Sequence, residues 1–299
     1  MNNSANTGRY SYPAFAWFQA KHRGRLLVVL AAVLWSLAGV FIKSLALPPV
    51  TIAFYRFLFA ALFFLGFIKS SEGAWQVPIV YSIVAYVAAT GSFVWANKLT
   101  TAANAIVLQY TAPIYIYALA PLLFREQISR ANFLALCGGM VGVAVIFFGS
   151  VGQPDMPGIL IALFSGLVFA LYIVNLRFLS KISAGLLVCL NNLGGVLLFL
   201  PFAVNDLHVA PIQLLALMVM GVVQFGSAYF FFSKGVEAVS LQEASLILLL
   251  EPVLNPLWVH LVTGEVPTAE TSVGGSVILL SLALRYVLGR DKKTEPVCA

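Results

Sequence analysis

The chain has 299 residues, of which 61% are hydrophobic and 9% are charged, and its net charge is +6. Soluble domains are about 45–50% apolar and about 25% charged, so this composition excludes a folded soluble protein and indicates lipid as the solvent. The basic residues are scattered between apolar runs and at the two ends of the chain, which excludes a clustered nucleic-acid-binding surface. The cysteines, Cys137, Cys189 and Cys298, have neither metal-ligand nor disulfide-framework spacing.

A polar arm of residues 1–25 begins the chain, and its aromatic residues suit a segment lying on the membrane, although a disordered tail fits equally well. Ten apolar runs follow, each near the roughly 20 residues that a helix needs to cross the hydrocarbon core. They lie at 26–47, 50–69, 78–98, 103–123, 131–150, 157–178, 184–204, 211–234, 242–262 and 271–289. The runs are too long and too evenly apolar for barrel strands. The sequence therefore predicts an all-α membrane protein of ten transmembrane helices, with a tail over 290–299.

The distribution of Lys and Arg between the loops indicates the orientation in the membrane. With the N-terminus inside, fourteen of the 17 basic residues fall on the inner side. The outer side holds Lys43 and Lys98, and Arg56 lies within the second run. We therefore predict a multi-pass protein of the cytoplasmic (inner) membrane, with both termini cytoplasmic.

The two halves of the sequence resemble each other. A shift of 139 residues aligns the fourth and ninth runs without a gap, and a shift of 134 aligns the first and sixth. The aligned pairs are Trp35 with Phe169, Lys43 with Arg177, Ala105 with Ala244, Pro113 with Pro252, Leu122 with Leu261, and Glu126 with Glu265. The predicted repeats, 26–150 and 157–289, each contain five spans, so the second is inverted relative to the first. Secondary transporters use inverted repeats and bind substrate near the membrane midplane where the repeats meet.

A family resemblance follows from a set of residues distributed along both halves. The set comprises Trp35, Arg56, the run Lys98-Leu99-Thr100-Thr101-Ala102-Ala103-Asn104-Ala105, Pro113 with Glu126, Gly138, Gly139, Gly142, and Glu251-Pro252 with Gly264-Glu265. Over residues 26–289 this pattern resembles the ten-span, EamA-type branch of the drug/metabolite transporter superfamily. The resemblance implies ten helices around a central cavity, lined chiefly by spans one, three, four, six, eight and nine. It also implies export of amino acids, other metabolites or toxic compounds.

Glu251 is the first candidate for a functional residue, because it lies roughly 13 Å into the ninth run at 1.5 Å per residue. A carboxylate at that depth is costly unless it is paired, protonated or in contact with water. It is interpreted as a partner for a substrate ammonium group or as a proton-coupling group. The structural alternative is a hydrogen-bonded carboxyl beside a helix break at Pro252. Asn255 and Trp258 follow on the same helix face.

Aromatic and amide side chains on six runs are the other candidates, since rings hold flat ligands or cations and amides set their orientation. The predicted substrate-binding residues are Trp35, Tyr86, Thr90, Gln109, Tyr110, Tyr172, Asn175, Tyr229, Glu251, Asn255 and Trp258. Interfacial belt or core positions are the alternative for many of them. Helix breaks are predicted at Pro113, Pro252 and Pro256. Arg56 is interpreted as structural, either snorkelling or pairing with a carbonyl, and the glycines of the fifth run suit close helix contact.

An enzyme is not predicted, because the sequence contains no Gly-x-Ser-x-Gly, His-Glu-x-x-His or phosphate-loop motif. No catalytic residue, metal site or cofactor is expected. The leading hypothesis is a secondary transporter that moves small organic metabolites by alternating access, with export of amino acids, aromatic ones included, as the preferred form. The alternatives are proton-coupled efflux of lipophilic cations and a non-transporting receptor or scaffold. The expected partners are a small-molecule substrate and membrane lipid, with no nucleic acid; a homodimer is left open.

Overall fold

The structure of the protein, a computed structural model, describes most of the chain. The described residues are 14–66, 77–124, 130–179, 182–236, 238–239, 244 and 247–288. The predicted tail over 290–299 and the first thirteen residues of the predicted arm lie outside them. Glu126 and the side chain of Arg177, which the repeat alignment pairs with Glu265 and Lys43, also lie outside the described part.

The regular structure of the described residues is helical throughout. The α-helices are α1 Ala14–Ser36, α2 Ala38–Ser44, α3 Pro49–Leu65, α4 Val77–Leu99, α5 Ala102–Gln109, α6 Ala112–Phe124, α7 Arg130–Gly149, α8 Met156–Asn175, α9 Ala184–Ala203, α10 Pro211–Val219, α11 Ala228–Val236, α12 Leu250–Thr263 and α13 Ala269–Leu288. A π-helical segment, Met220–Ser227, joins α10 to α11, and short 3-10 turns follow α8 and α9.

Helical chain covers the positions of all ten predicted spans within the described residues, which confirms the all-α fold class. The ten-span count is confirmed in part, because five helical stretches are long and apolar enough to cross a membrane by themselves. These are His22–Ser44, Val77–Leu99, Met156–Asn175, Gly185–Asp206 and Pro211–Val236. Pro49–Leu65 and Phe133–Gly149 are apolar but shorter.

The first helix begins earlier than the composition indicates. The described part of α1 begins at Ala14, so residues 14–25 of the predicted arm are helical and continue directly into the first span. The sequence has no proline between Ala14 and Gly24 to interrupt this helix. The start of the apolar run therefore does not coincide with the start of the helix.

Local chemistry explains several helix ends. Pro49 is the first residue of α3, where a missing N–H costs nothing. The Thr101 hydroxyl accepts a hydrogen bond from the Asn104 N–H at 3.1 Å and caps α5. Gly264, with φ of 76°, ends α12 and donates its N–H to the carbonyl of His260 at 2.9 Å.

The packing of the helices is symmetric between the two halves. The most extensive contacts join α7 to α13, α4 to α8, α3 to α9 and α1 to α11, followed by α5 to α8 and α2 to α12. These contacts can be restated as pairs of spans, with each span of the first half exchanged for its counterpart in the second half. The exchange leaves two contacting pairs unchanged, the fifth span with the tenth and the second with the seventh. It turns the contact of the first and eighth spans into that of the sixth and third, and the contact of the fourth and sixth spans into that of the ninth and first. A two-fold axis relating the halves produces this pattern.

Candidate functional site

The fourth and ninth spans are both interrupted, at equivalent positions. The fourth divides into α5 and α6 at Tyr110 and Thr111, and the ninth turns at Leu249 before α12. The 139-residue shift relates Tyr110 to Leu249, and each turn lies shortly before the predicted break residue, Pro113 or Pro252. Pro256, the third predicted break, lies inside α12, which continues to Thr263. A helix loses one backbone hydrogen bond at such a proline without having to end there.

A tyrosine hydroxyl joins the two interruptions. Pro252 has no N–H, so the carbonyl of Leu248 lacks its usual helical donor four residues later. The Tyr110 hydroxyl lies 3.0 Å from that carbonyl oxygen and 2.8 Å from Oε2 of Glu251, and these two acceptors share its single proton. The break in the fourth span is therefore bonded to the backbone and to the carboxyl group of the break in the ninth span.

A continuous row of aromatic rings lies between the two halves. The rings of Trp35 and Tyr229 are 5.0 Å apart, as are those of Tyr229 and Phe225. Phe225 lies 6.4 Å from Tyr86, which lies 5.4 Å from Tyr172. Trp35 and Tyr86 come from the first half and the other three from the second. We call these five residues the aromatic row, and four of them are predicted substrate-binding residues.

Trp258 and Asn255 lie on α12 beside the first span. The Trp258 Nε1 donates to the Ser36 hydroxyl at 3.0 Å. Asn255 is fully buried, and neither polar atom of its amide has a hydrogen-bond partner among the residues that the structure describes. A Cβ at Gly39 would lie 2.7 Å from the Asn255 Oδ1, so the amide is packed directly against the α2 backbone. The structure thus places both residues at the contact between the first and ninth spans.

Two of the remaining predicted residues, Gln109 and Asn175, make hydrogen bonds between helices. The Gln109 Nε2 donates to the Ser165 hydroxyl at 2.9 Å, and that hydroxyl donates to the carbonyl of Ala89 at 2.8 Å. Thr90, next to Ala89, is half-buried on α4. The Asn175 Nδ2 donates to the carbonyl of Pro78 at 2.8 Å. These hydrogen bonds join α4, α5 and α8, and the role of Gln109, Thr90 and Asn175 in binding substrate stays a prediction.

Arg56 and Gln224 are polar residues that the predicted site omitted. The Arg56 side chain is only 5% exposed, so it does not snorkel, and its guanidinium carbon lies 4.5 Å from the centre of the Phe225 ring. Gln224 donates through Nε2 to the carbonyl of Trp35 at 3.2 Å, while its Oε1 is buried and has no partner in the described part of the chain. The signal available in the sequence was a charged or amide group inside an otherwise apolar run.

A second polar cluster lies at the end of the bundle where α2, α4 and α12 end. Lys43 forms an ion pair with Oε2 of Glu265 at 2.6 Å and donates to the carbonyl of Thr100 at 2.7 Å. Oε1 of Glu265 accepts the N–H of Ala102 at 2.7 Å, at the positive start of α5.

This cluster continues across the bundle. The Thr100 hydroxyl donates to Asp155 at 2.8 Å, and the Thr271 hydroxyl donates to the Asn104 Oδ1 at 2.6 Å. We call the whole set the end network; its members are Lys43, Thr100, Ala102, Asn104, Asp155, Glu265 and Thr271. Its bonds connect the first half of the chain to the second.

Comparison with known proteins finds a transporter family and relatives that are named transporters. The model of the EamA-like transporter family matches residues 22–148 and again residues 156–287. An uncharacterised transporter of Archaeoglobus fulgidus is 27% identical over 271 residues, covering 90% of this chain and 98% of that protein. A protein of Rhizobium johnstonii named riboflavin transporter is 29% identical over 222 residues, covering 68% of this chain and 72% of that protein.

The fold is also found among solved structures. A crystal structure aligns with a TM-score of 0.66 over 91% of this chain and 100% of that chain, at 20% identity. At this identity the likeness concerns the fold alone. Two family repeats together span most of the chain, and their interrupted fourth and ninth spans meet beside the aromatic row. This multi-pass membrane protein belongs to the EamA-like transporter family.

Proposed function

We propose that this transporter is a secondary carrier that moves small organic metabolites by alternating access across the cytoplasmic membrane. Amino acids, aromatic ones first, are its preferred substrates, and it exports them. One observation carries the proposal: the aromatic row and the Glu251 carboxyl group lie together where the two repeats meet and where the fourth and ninth spans are interrupted. Non-helical backbone within a membrane is tolerated where it is buried or lines a solute pathway.

The chemistry of this site suits a molecule with a flat ring and an ammonium group. Aromatic side chains hold flat apolar rings by edge-to-face and stacked contacts. A carboxylate in a water-poor site binds an ammonium group, or exchanges it for a proton. Both contributions come from the junction of the two repeats, so rocking one repeat against the other would change access to them.

A carrier that works by alternating access must also close one end of its transport pathway while the other end is open. The end network supports such a closure, because its ion pair and hydrogen bonds join loops from both halves at one end of the bundle. We assign this end to the outer face of the membrane, since nearly all the other basic residues then lie inside. In this assignment both chain termini are cytoplasmic.

Transport into proteoliposomes tests the proposal. The purified protein is reconstituted, loaded with unlabelled L-phenylalanine or L-tryptophan, and given the labelled amino acid outside. Counterflow of label is expected, and it should be absent from protein-free vesicles. If a panel of all the common amino acids gives no flux, the proposed substrate class is rejected.

A second candidate function is proton-coupled efflux of lipophilic cations or other flat solutes. The same carboxyl group beside the aromatic row supports it, because rings and a carboxylate also bind organic cations. The relative named riboflavin transporter supports a ring-bearing solute more generally. Flux of labelled tetraphenylphosphonium driven by an imposed pH gradient, without flux of amino acids, would favour this candidate.

A further inference from the structure

Arg56 carries a buried positive charge, and two of its three guanidinium nitrogens are not used in hydrogen bonds to the described residues. Arg56 is 5% exposed, and its Nε and Nη1 have no hydrogen-bond partner among the described residues. A buried guanidinium with unpaired N–H groups is unfavourable, because neither water nor a protein acceptor replaces its lost hydration. Proteins retain such a group within the membrane chiefly where it binds something.

Among the described residues, the groups around Arg56 are aromatic rings and one carboxyl group that is hydrogen-bonded elsewhere. The Phe225 ring covers the guanidinium, and the electrostatic neighbours of the charge are Tyr86, Tyr229 and Glu251. The carboxyl group of Glu251 attracts the guanidinium, but its Oε2 is bonded to the Tyr110 hydroxyl. Arg56 therefore lies within the proposed substrate site, beside the aromatic row and opposite a group of the other charge.

The fold holds Arg56 in this place through the π-helical segment Met220–Ser227. A Cβ at Gly221 would lie 2.5 Å from the Phe59 Cβ and 3.3 Å from the Arg56 carbonyl oxygen, so the segment touches the α3 backbone. At Gly226 a Cβ would lie 2.7 Å from the Phe63 ring. These two glycines let the segment approach α3 closely enough to place Phe225 over the guanidinium. π-Helical turns occur preferentially at functional sites.

We propose that Arg56 binds the carboxylate of the transported molecule, so the substrates are zwitterions or organic anions with a flat apolar part. This inference rests on the proposed transport function and narrows its substrate class. A guanidinium pairs with a carboxylate through two parallel N–H donors, which gives both strength and orientation. The substrate ring then lies on the aromatic row, and the ammonium group of an amino acid faces Glu251.

Matched pairs of probes test the inference on the purified wild-type protein. L-Phenylalanine is compared with phenethylamine, and 3-phenylpropionate with 3-phenylpropanol, by thermal-shift titration. In each pair the carboxylate-bearing member should bind more tightly, by about 10- to 100-fold, the range for one charged hydrogen-bonded contact. If neither carboxylate-bearing probe binds more tightly than its counterpart, the inference is overturned.

Variants then assign the preference to Arg56. In Arg56→Gln the advantage of the carboxylate-bearing probes should disappear, while the probe-free protein remains at least as stable as wild type because a buried unpaired charge is gone. In Arg56→Lys the advantage should fall, since lysine lacks the planar fork. Arg130→Gln, at an exposed arginine that begins α7, is the matched control and should keep the full advantage. An unchanged advantage in both Arg56 variants would refute the assignment.

Flux measurements separate this inference from the proposed function. Riboflavin is added to the panel as a ring-bearing solute without a carboxylate. A protein that transports riboflavin or phenethylamine and none of the carboxylate-bearing probes retains the transport function and overturns the role of Arg56. A protein that binds the carboxylate-bearing probes through Arg56 but transports nothing in the panel supports the inference and contradicts the carrier function.

Discussion

The Glu251 carboxyl group illustrates how one residue can serve both the structure and transport. Its Oε2 accepts a hydrogen bond from the Tyr110 hydroxyl at 2.8 Å, and that hydroxyl also reaches the Leu248 carbonyl freed by Pro252. The bond across the two interrupted spans is structural. An acidic group in the same place can exchange a proton or an ammonium ion, which an amide cannot.

Glu251→Gln separates these two uses. The amide keeps an oxygen that accepts from Tyr110, so the protein should fold and its thermal stability should change by less than about 1 kcal/mol. Because the amide does not titrate, transport should lose its pH dependence and fall about tenfold or more, the effect of losing one charged contact. Initial rates of counterflow at several pH values provide the measurement.

Tyr110→Phe is the matched control for this prediction. It removes the hydroxyl that bonds to Glu251 and Leu248 but leaves the carboxyl group able to titrate. We expect reduced stability, by about 1 kcal/mol for one lost hydrogen bond, with the pH dependence of transport retained. Equal rates and equal pH dependence in Glu251→Gln and wild type would leave Glu251 with a structural role alone.

For single residues, the sequence shows which positions are unusual but not what surrounds them. Glu251, Trp35 and Tyr229 were chosen as candidates because a polar or aromatic group at the middle of an apolar run is visible without a structure. The environment of Arg56 was not predictable in this way. Its covering ring, Phe225, belongs to another span and reaches it only through the π-helical segment.

The π-helical segment is the element that most shapes the site. In Gly221→Ala the new methyl group would meet the Phe59 side chain at 2.5 Å and lie 3.3 Å from backbone atoms of Arg56 and Ala60, so the segment has to move away from α3. We expect Phe225 to leave the guanidinium and substrate affinity to fall. The overpacking should cost about 1–3 kcal/mol of stability. Thermal-shift titration with L-phenylalanine measures both effects.

The close contact between α7 and α13, which is made through glycine, gives a second prediction at the scale of single helices. A Cβ at Gly142 of α7 would lie 2.5 Å from the carbonyl oxygen of Gly274 on α13, and the reciprocal distance is 2.6 Å. Backbone atoms cannot rotate away, so Gly142→Ala should destabilise the protein by about 1–3 kcal/mol. A fall in the melting temperature of the purified protein is the measurement.

Gly66→Ala provides the control for that substitution. Gly66 has a φ of −68°, and a methyl group added there would lie 3.7 Å from its nearest neighbour, an ordinary contact. Its effect should stay within about 0.5 kcal/mol of zero. If both alanine variants melt at the same temperature as wild type, the close contact between α7 and α13 is not important for stability.

The helices themselves follow from the sequence, and their irregularities do not. Apolar runs of the length of a span, separated by turn residues, predict each helix, because lipid leaves the backbone no other way to pair its polar groups. The π-helical segment adds one residue to a turn without any proline or charge to mark it. Likewise α12 continues through Pro256, since the packing on either side outweighs one missing hydrogen bond.

For the whole molecule, the sequence repeat and the helix contacts agree. The shift that aligns Pro113 with Pro252 also relates the two interruptions, and the exchange of halves preserves the pattern of contacting helices. The sequence alone did not predict the end network. Lys43 and Glu265 are far apart in the chain, and only the folded arrangement places them 2.6 Å from each other.

The end network leads to a prediction for the transport cycle. Lys43→Glu would place two like charges in contact across the halves, destabilise the closed end, and shift the conformational equilibrium by about fivefold or more, the lower range of such couplings. A buried alanine behind the network, Ala105, can be replaced by cysteine in a chain whose own cysteines are serine. An impermeant maleimide added on the network side should label this cysteine faster in Lys43→Glu than in wild type.

Combining Lys43→Glu with Glu265→Lys restores an ion pair of reversed polarity, and it should return the labelling rate and the counterflow most of the way to wild type. Recovery is incomplete because the lysine at 265 no longer accepts the Ala102 N–H at the start of α5. Glu270→Lys, an exposed acidic residue in the first turn of α13, is the control for a change of charge alone. If that control raises labelling as much as Lys43→Glu, or the double variant labels as fast as the single one, the ion pair does not close this end.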